Sequence, residues 1–173
     1  FELRAHEIAF SPGIVRRAHA SIGLGVGQKL GGAVTDRGGV RSHQPDRPPL
    51  DPGLADTAAF CAEYDEPMAA SANCVIVHGK RAGESTYAAV MVLATHRADV
   101  NGVIRKHLGV RKISFAAQDD AVSSTGMEYG GITPVGLPAD WPILVDQNVA
   151  NHQRVIVGSG IRGSKLLAMS EVL

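Results

Sequence analysis

Cys74, seven histidines, two glycine-rich stretches and a run of basic residues are the parts of this 173-residue chain whose types could do chemistry. A nucleophilic cysteine needs a depressed pKa and a general base, and no such pairing is visible around Asn73-Cys74-Val75. Flanked by Val75 and Val77, Cys74 reads instead as a small buried hydrophobe. His6, His19, His43, His78, His96, His107 and His152 show no metal-ligand spacing, and Cys61 and Cys74 bring no paired ligands, so no metal is expected. Gly23–Gly27 fails as a nucleotide loop. The third glycine of a dinucleotide fingerprint would fall on Gln28, and Lys29 is followed by Leu30 where a phosphate loop needs Ser or Thr. Ser123, Ser124 and Thr125 either offer hydroxyls to a ligand or close a helix.

Charge is balanced overall, with 17 Lys+Arg against 17 Asp+Glu, but it is segregated along the chain. Lys80, Arg81, Arg97, Arg105, Lys106, Arg111 and Lys112 face only Glu84 and Asp99 between residues 80 and 115, whereas the flanking stretches 51–79 and 116–150 are purely acidic. Such a block is either a set of solvated faces or a local phosphate-binding surface on an otherwise neutral protein.

These residues need elements to hold them. A chain of 173 residues, 45% hydrophobic and 20% charged, suits one domain with a real core and is far from a disordered composition. Its longest apolar run, Ala88–Ala94, is too short to span a bilayer, Phe1-Glu2-Leu3-Arg4 lacks the features of a secretory signal, and two cysteines cannot make a disulfide framework. A soluble, cytoplasmic domain is the expectation. Residues 1–50 are rich in glycine and weakly periodic, and Gln44–Pro52 carries four prolines, so this part reads as short elements ending in a linker.

After Pro52 the pattern sharpens. Asp56 caps a helix over Thr57–Tyr64, Cys74–Val77 and Thr86–Ala94 form two strands around a Lys80–Ser85 turn, and Asp99 caps a helix to Leu108, stopped by Gly109. Lys112–Ala116 is a strand and Asp119–Ser124 a short helix. Gly126–Pro138 is irregular, with Trp141 anchored between Pro138 and Pro142. Ile143–Val145, Arg154–Val157 and Lys165–Ala168 are further strands, and Ser170 begins a helix. Strands and helices alternate without the period of a doubly wound fold, which predicts a compact α+β domain with a mixed, mainly antiparallel sheet.

From Asp51 to Leu173 the ordered set resembles the YbaK/prolyl-tRNA-synthetase-associated editing-domain family. It comprises the strand pair Cys74–Ala94, the capped helix Asp99–Leu108, the loop TGMEYGGITPVG at Thr125–Gly136, the PILVD run at Pro142–Asp146, and VGSGIR at Val157–Arg162. Residues 1–50 carry no part of it. The resemblance implies a hydrolase acting in trans, without metal or organic cofactor, on the ester of a mischarged tRNA, most often tRNA for proline. Its partners would be the tRNA acceptor end and an aminoacyl-tRNA synthetase.

For an ester-hydrolysing site, amides of Gly130, Gly131 and Ile132 suit the carbonyl, because glycine lets backbone approach a ligand closely. Pro134 would stiffen the loop, and Gly158, Ser159 and Gly160 would close the opposite wall. Tyr129 and Met127 either line the cavity or pack in the core, and Asp146 either binds the substrate ammonium or makes a turn before Gln147. Arg97, Arg105, Lys106, Arg111 and Lys112 would take the tRNA backbone. One departure stands out: the family's characteristic lysine at the start of the hairpin is matched here by Asn73, which hydrogen-bonds without charge. Either Arg162 or Lys165 substitutes for it, or the module binds tRNA or a small ligand without hydrolysing it.

Overall fold

The structure is a computed structural model that describes residues 51, 53 and 56–169, together with the backbones of strands at 6–9, 15–18 and 41–42. Its centre is a long hairpin. β4 (Ala72–Arg81) and β5 (Glu84–Leu93) pair antiparallel from Ala72↔Leu93 to Arg81↔Glu84. The sequence places a wider turn across Lys80–Ser85, but pairing runs to the end, and only Ala82 (φ 51) and Gly83 (φ 91) remain to turn the chain. Two consecutive left-handed residues match the twist of the flanking strands. β6 (Lys112–Phe115) lies antiparallel to β4, and β7 (Ile143–Val145) lies parallel to β5, giving a mixed sheet of order β6-β4-β5-β7.

Apolar residues load both faces of this sheet. Val77, Ala88, Val90 and Leu144 pack on one side against Val100 and Ile104; Ile76 and Ala89 pack on the other against Ala121, Leu137 and Trp141. Asp99 caps the first of these covers as expected, accepting from the amides of Gly102 (2.8 Å) and Val103 (3.2 Å). The segment it starts is not the single α-helix the spacing predicts: Val100–Ile104 is π-helical, and only α2 (Arg105–His107) is α-helical before Gly109 (φ 64) ends it. α3 (Gln118–Thr125) forms the opposite cover.

A second sheet, order β3-β9-β8, is antiparallel: β8 (Arg154–Gly158) pairs with β9 (Lys165–Met169), and β3 (Arg41–Ser42) adds to the far edge of β9. A parallel bridge between Ser71 and Ile156 joins it to the mouth of the β4–β5 hairpin. α1 (Thr57–Tyr64), capped by Asp56 at the amides of Ala58 and Ala59, buries Phe60 and Cys61 against Ile156 and Leu167. α4 (Gln147–Ala150) is a short helix that the sequence reading leaves out. β1 (His6–Ala9) and β2 (Val15–Ala18) form a separate antiparallel pair. The Gly23–Gly27 stretch, most of the proline-rich segment and the helix expected from Ser170 lie outside the described residues. Among those described, no helix is long and apolar enough to cross a membrane.

Candidate functional site

α1 lies across the line where the two sheets meet. Thr57 Oγ1 donates to Asn73 Oδ1 (2.8 Å), and Cys61 Sγ lies 3.3 Å from Ser71 Oγ, so two same-face residues at the entry to β4 are fastened to the helix. Between α1, β4, the end of β6, α3 and the loops after α3 and β8 is a cavity of ≈ 740 Å³. Phe60, Met68, Val75, Ile76, Ala121 and Ile132 supply apolar wall, while Phe115 and Tyr129 line it and remain 60% and 55% exposed, aromatic faces offered to whatever enters.

Pairing fixes what stands side by side on the α1 face. Ser71 meets Ile156 at an isolated parallel bridge, and Gly158 pairs directly with Lys165 across β8–β9. All four line the cavity, as does Asn73. Thr57 takes the Asn73 carbonyl oxygen, which leaves the carboxamide protons as the donors Asn73 offers the site.

Lys165 is only 7% exposed and its Nζ sits 5.6 Å from the Phe60 ring centroid. Burial lowers its pKa, and nearby Arg162 adds to that, while Cys61 and Asp56 oppose it. The charged residues among the described lining are Asp56, which caps α1, Arg162 and Lys165. Burial pushes the Cys74 thiol up to about 12, so it is a neutral wall group and no nucleophile.

The lowered Lys165 pKa predicts a pH dependence. Between the folded pKa and the ordinary 10.5 of lysine, the unfolded chain binds more protons, so stability rises with pH through that window. In Lys165→Met this alkaline rise should disappear, as urea titrations of both proteins across that range would register; parallel curves would contradict it.

The two glycine turns are bonded to each other and do not face one another across the ligand, which corrects the sequence reading. Gly160 N donates to Gly131 O (2.7 Å) and Glu128 N to Gly160 O (2.9 Å). The Arg162 amide donates to Glu128 Oε2 (2.6 Å), and its Nη1 donates to Tyr129 O (3.1 Å). Ser159 Oγ braces the second turn on the carbonyls of Ile161 and Ser164. Together the turns make one wall, and α1 with Phe60 makes the other.

Asn73, Tyr129, Gly130, Ile132, Gly158 and Arg162 therefore reach the cavity, whereas Gly131, Pro134, Ser159 and Gly160 stand behind it. The Gly131 amide is spent on Glu128 O (2.9 Å) and is no substrate donor; among the described residues the Gly130 and Ile132 amides make no protein hydrogen bond. Of the two roles expected of Asp146, the structure fits the turn before Gln147 and not the ammonium contact. It caps α4, accepting from the Asn148 amide and side chain (both 2.8 Å), away from the cavity lining. Ser123 and Thr125 donate to carbonyls of their own helix, at Asp120 and Ala121. Phe60, Thr57 and Phe115 are site residues that the sequence reading missed.

The basic block splits in space. Lys80 pairs opposite Lys112, with Arg81 and Arg111 adjoining, at the turn end of the hairpin; Arg105 and Lys106 lie on α2 near it. Arg97 follows the other end, three residues after the cavity-lining Ala94. All of these side chains are exposed. β6 connects the larger group to the cavity, running from Lys112 to Phe115 over about 10 Å.

Fold and cavity together define a small α+β module that would hold a ligand by backbone amides, a carboxamide and buried positive charge. The chain belongs to the aminoacyl-tRNA editing domain family, whose sequence model it matches over residues 51–171. Two solved structures share its fold. One, of hypothetical protein APE2540, is 22% identical with a TM-score of 0.62, covering 76% of this chain and 79% of that one. The other, of a candidate trans-editing enzyme for prolyl tRNA synthetase, is 17% identical with a TM-score of 0.60, covering 70% and 73%. Among the described residues no group of three or more His, Cys, Asp and Glu is placed to hold a metal.

Proposed function

We propose that this protein is an aminoacyl-tRNA deacylase acting in trans in the cytoplasm, on tRNA for proline carrying a wrong amino acid. The observation that carries the reading is a cavity lined by Gly130 and Ile132, whose amides make no hydrogen bond among the described residues, together with Asn73 and Lys165, in a chain of the editing-domain family. Ester hydrolysis passes through a tetrahedral oxyanion, and fixed amides aimed at that oxygen lower its energy without reorganising. The amino acid side chain fits the apolar wall of Met68, Val75 and Ala121, whose size would select by exclusion.

Phe115 and Tyr129 at the lining offer stacking faces to the unpaired bases of an acceptor end. β6 then leads the phosphate backbone toward Lys112, Arg111, Arg105 and Lys106, while Arg97 stands at the other end of the hairpin. A prolyl-tRNA synthetase would be the source of such a substrate.

Incubation with a panel of mischarged tRNAs tests this. The protein should shorten the ester half-life of at least one mischarged tRNA-Pro by on the order of a hundredfold. Unchanged half-lives across the panel would overturn the reading. Tight tRNA binding with no hydrolysis would instead support a module that only binds, the reading that the uncharged Asn73 favours.

A further inference from the structure

We propose that Thr57 is a positioning residue of this cavity: its hydroxyl turns the Asn73 carboxamide so that the nitrogen meets the ester carbonyl oxygen as a hydrogen-bond donor. The inference rests on the deacylase reading and deepens it. Three observations carry it. First, the Thr57 hydroxyl is spared for a task outside its own helix. Thr57 opens α1, where Asp56 already takes the Ala58 and Ala59 amides (2.9 and 3.1 Å). The Thr57 proton goes instead to Asn73 Oδ1 at 2.8 Å, sixteen residues along the chain.

Second, the spacing of helix and strand makes that contact a fixed one. Thr57 and Cys61 stand one turn apart on α1, a rise of about 6 Å. Ser71 and Asn73 stand two residues apart at the entry to β4, a rise of about 7 Å. The two lengths match, so the Thr57–Asn73 bond and the 3.3 Å contact of Cys61 Sγ with Ser71 Oγ form together, while the fully buried Phe60 holds the helix down between them.

Third, the bond decides which end of Asn73 a substrate meets. A carboxamide carries an acceptor at one end and two donors at the other. With Oδ1 taken by Thr57, the Nδ2 protons have no protein acceptor among the described residues. Thr133 Oγ1 is the side-chain polar atom among those residues that is both sealed and unpartnered, so the Asn73 nitrogen is open, and Asn73 lines the cavity together with Thr57. Without the threonine either end can turn inward, and the oxygen end repels a carbonyl.

In the reaction, water oxygen bonds to the acyl carbon and the carbonyl π pair moves onto oxygen, where the Asn73 N–H and the Gly130 and Ile132 amides receive it. The pair then returns, the bond from carbon to ribose oxygen breaks, and a proton from the attacking water ends on that ribose oxygen. Free amino acid and tRNA with its terminal hydroxyl leave. No oxidant or further reactant is needed.

Kinetics on whichever mischarged tRNA-Pro the wild type hydrolyses would test this. Thr57→Val keeps the branched shape but removes the proton, and should lower kcat about tenfold with KM within about twofold. Thr57→Ser restores the hydroxyl and should keep at least about half of the wild-type kcat. Asn73→Asp still accepts from Thr57 but offers no N–H, and should fall by on the order of 10²–10³-fold. On an Asn73→Ala background Thr57→Val should change kcat by less than about twofold, because the hydroxyl acts only through that carboxamide.

Full kcat in Thr57→Val, a loss in KM alone, Thr57→Ser no better than the valine variant, or Asn73→Asp at wild-type kcat overturns the inference while leaving the deacylase reading intact. So does a further loss on the Asn73→Ala background, or a Thr57→Val thermal midpoint lowered by more than about 10 °C, which would make the threonine structural. A wild type inert on every tRNA removes the deacylase reading and this inference with it.

Discussion

Gly158→Ala should lose about 3 kcal/mol of stability and most of its deacylase activity. The reason is a close approach between backbones. A β-carbon at 158 would fall on the carbonyl oxygens of Gly131 and Ile132, well inside van der Waals contact, and neither oxygen belongs to a flexible side-chain end. Relief requires the Gly130–Ile132 loop to lift from β8. That strains the Gly160–Gly131 and Glu128–Gly160 hydrogen bonds, which tie the turns together and are each worth about 1 kcal/mol.

A retreat of even about 1 Å takes the Gly130 and Ile132 amides out of donor range of an oxyanion, and such displacements cost on the order of a hundredfold in rate. In a protein of this size the stability loss corresponds to a fall of about 6–12 °C in thermal midpoint. Thermal scans and single-turnover assays on the same preparation would check both halves. A variant with wild-type midpoint and rate would mean that the two turns are not held in the register described.

That contact also marks where the sequence stops being readable. The two glycine runs announce irregular backbone, and their residue types suggest amide donors, but nothing local says that Gly131 faces Ile161 and Gly158 faces Gly131. Both relations join parts of the chain about thirty residues apart, and periodicity reports only neighbours. Hence Gly131 reads from sequence as a donor to substrate, although its amide is bonded to Glu128.

Local signals, by contrast, survive folding well. Asp56 and Asp99 both cap as their positions before apolar runs predict, and the β-branched run after Asn73 is a strand buried on both faces. Asp146 follows the same rule at α4, a role the sequence reading, which offers an ammonium ligand or a turn before Gln147, does not name. The π-helical turn at Val100–Ile104 has no such signal, because its apolar positions fit an α-helix equally well. The basic block looks continuous along the chain, yet the hairpin sends Arg97 and the Lys80–Lys112 group to opposite ends. Lys165 could be named from sequence as a cation near the second glycine turn. Its place beside Gly158, over Phe60, depends on strand register.

Phe60 is where packing and the cavity wall meet, and Phe60→Ala should cost about 3–5 kcal/mol. The ring is 0% exposed, packs on Cys61 and Ile156, and stands 5.1 Å from the Tyr64 ring, so truncation leaves a void under α1 that its neighbours on two strands cannot close. A midpoint lower by roughly 6–20 °C is expected.

Phe60→Leu separates the two roles of the ring. Leucine keeps much of the volume and should cost on the order of 1–2 kcal/mol, but it offers no π face to the Lys165 ammonium. A cation–π contact in a desolvated site is worth about 2 kcal/mol. That contact should appear as coupling in stability: in the Lys165→Met background the same leucine costs less, by up to about 2 kcal/mol. Additive losses in the double variant, read from urea titrations of the four proteins, would show instead that Phe60 acts through packing alone.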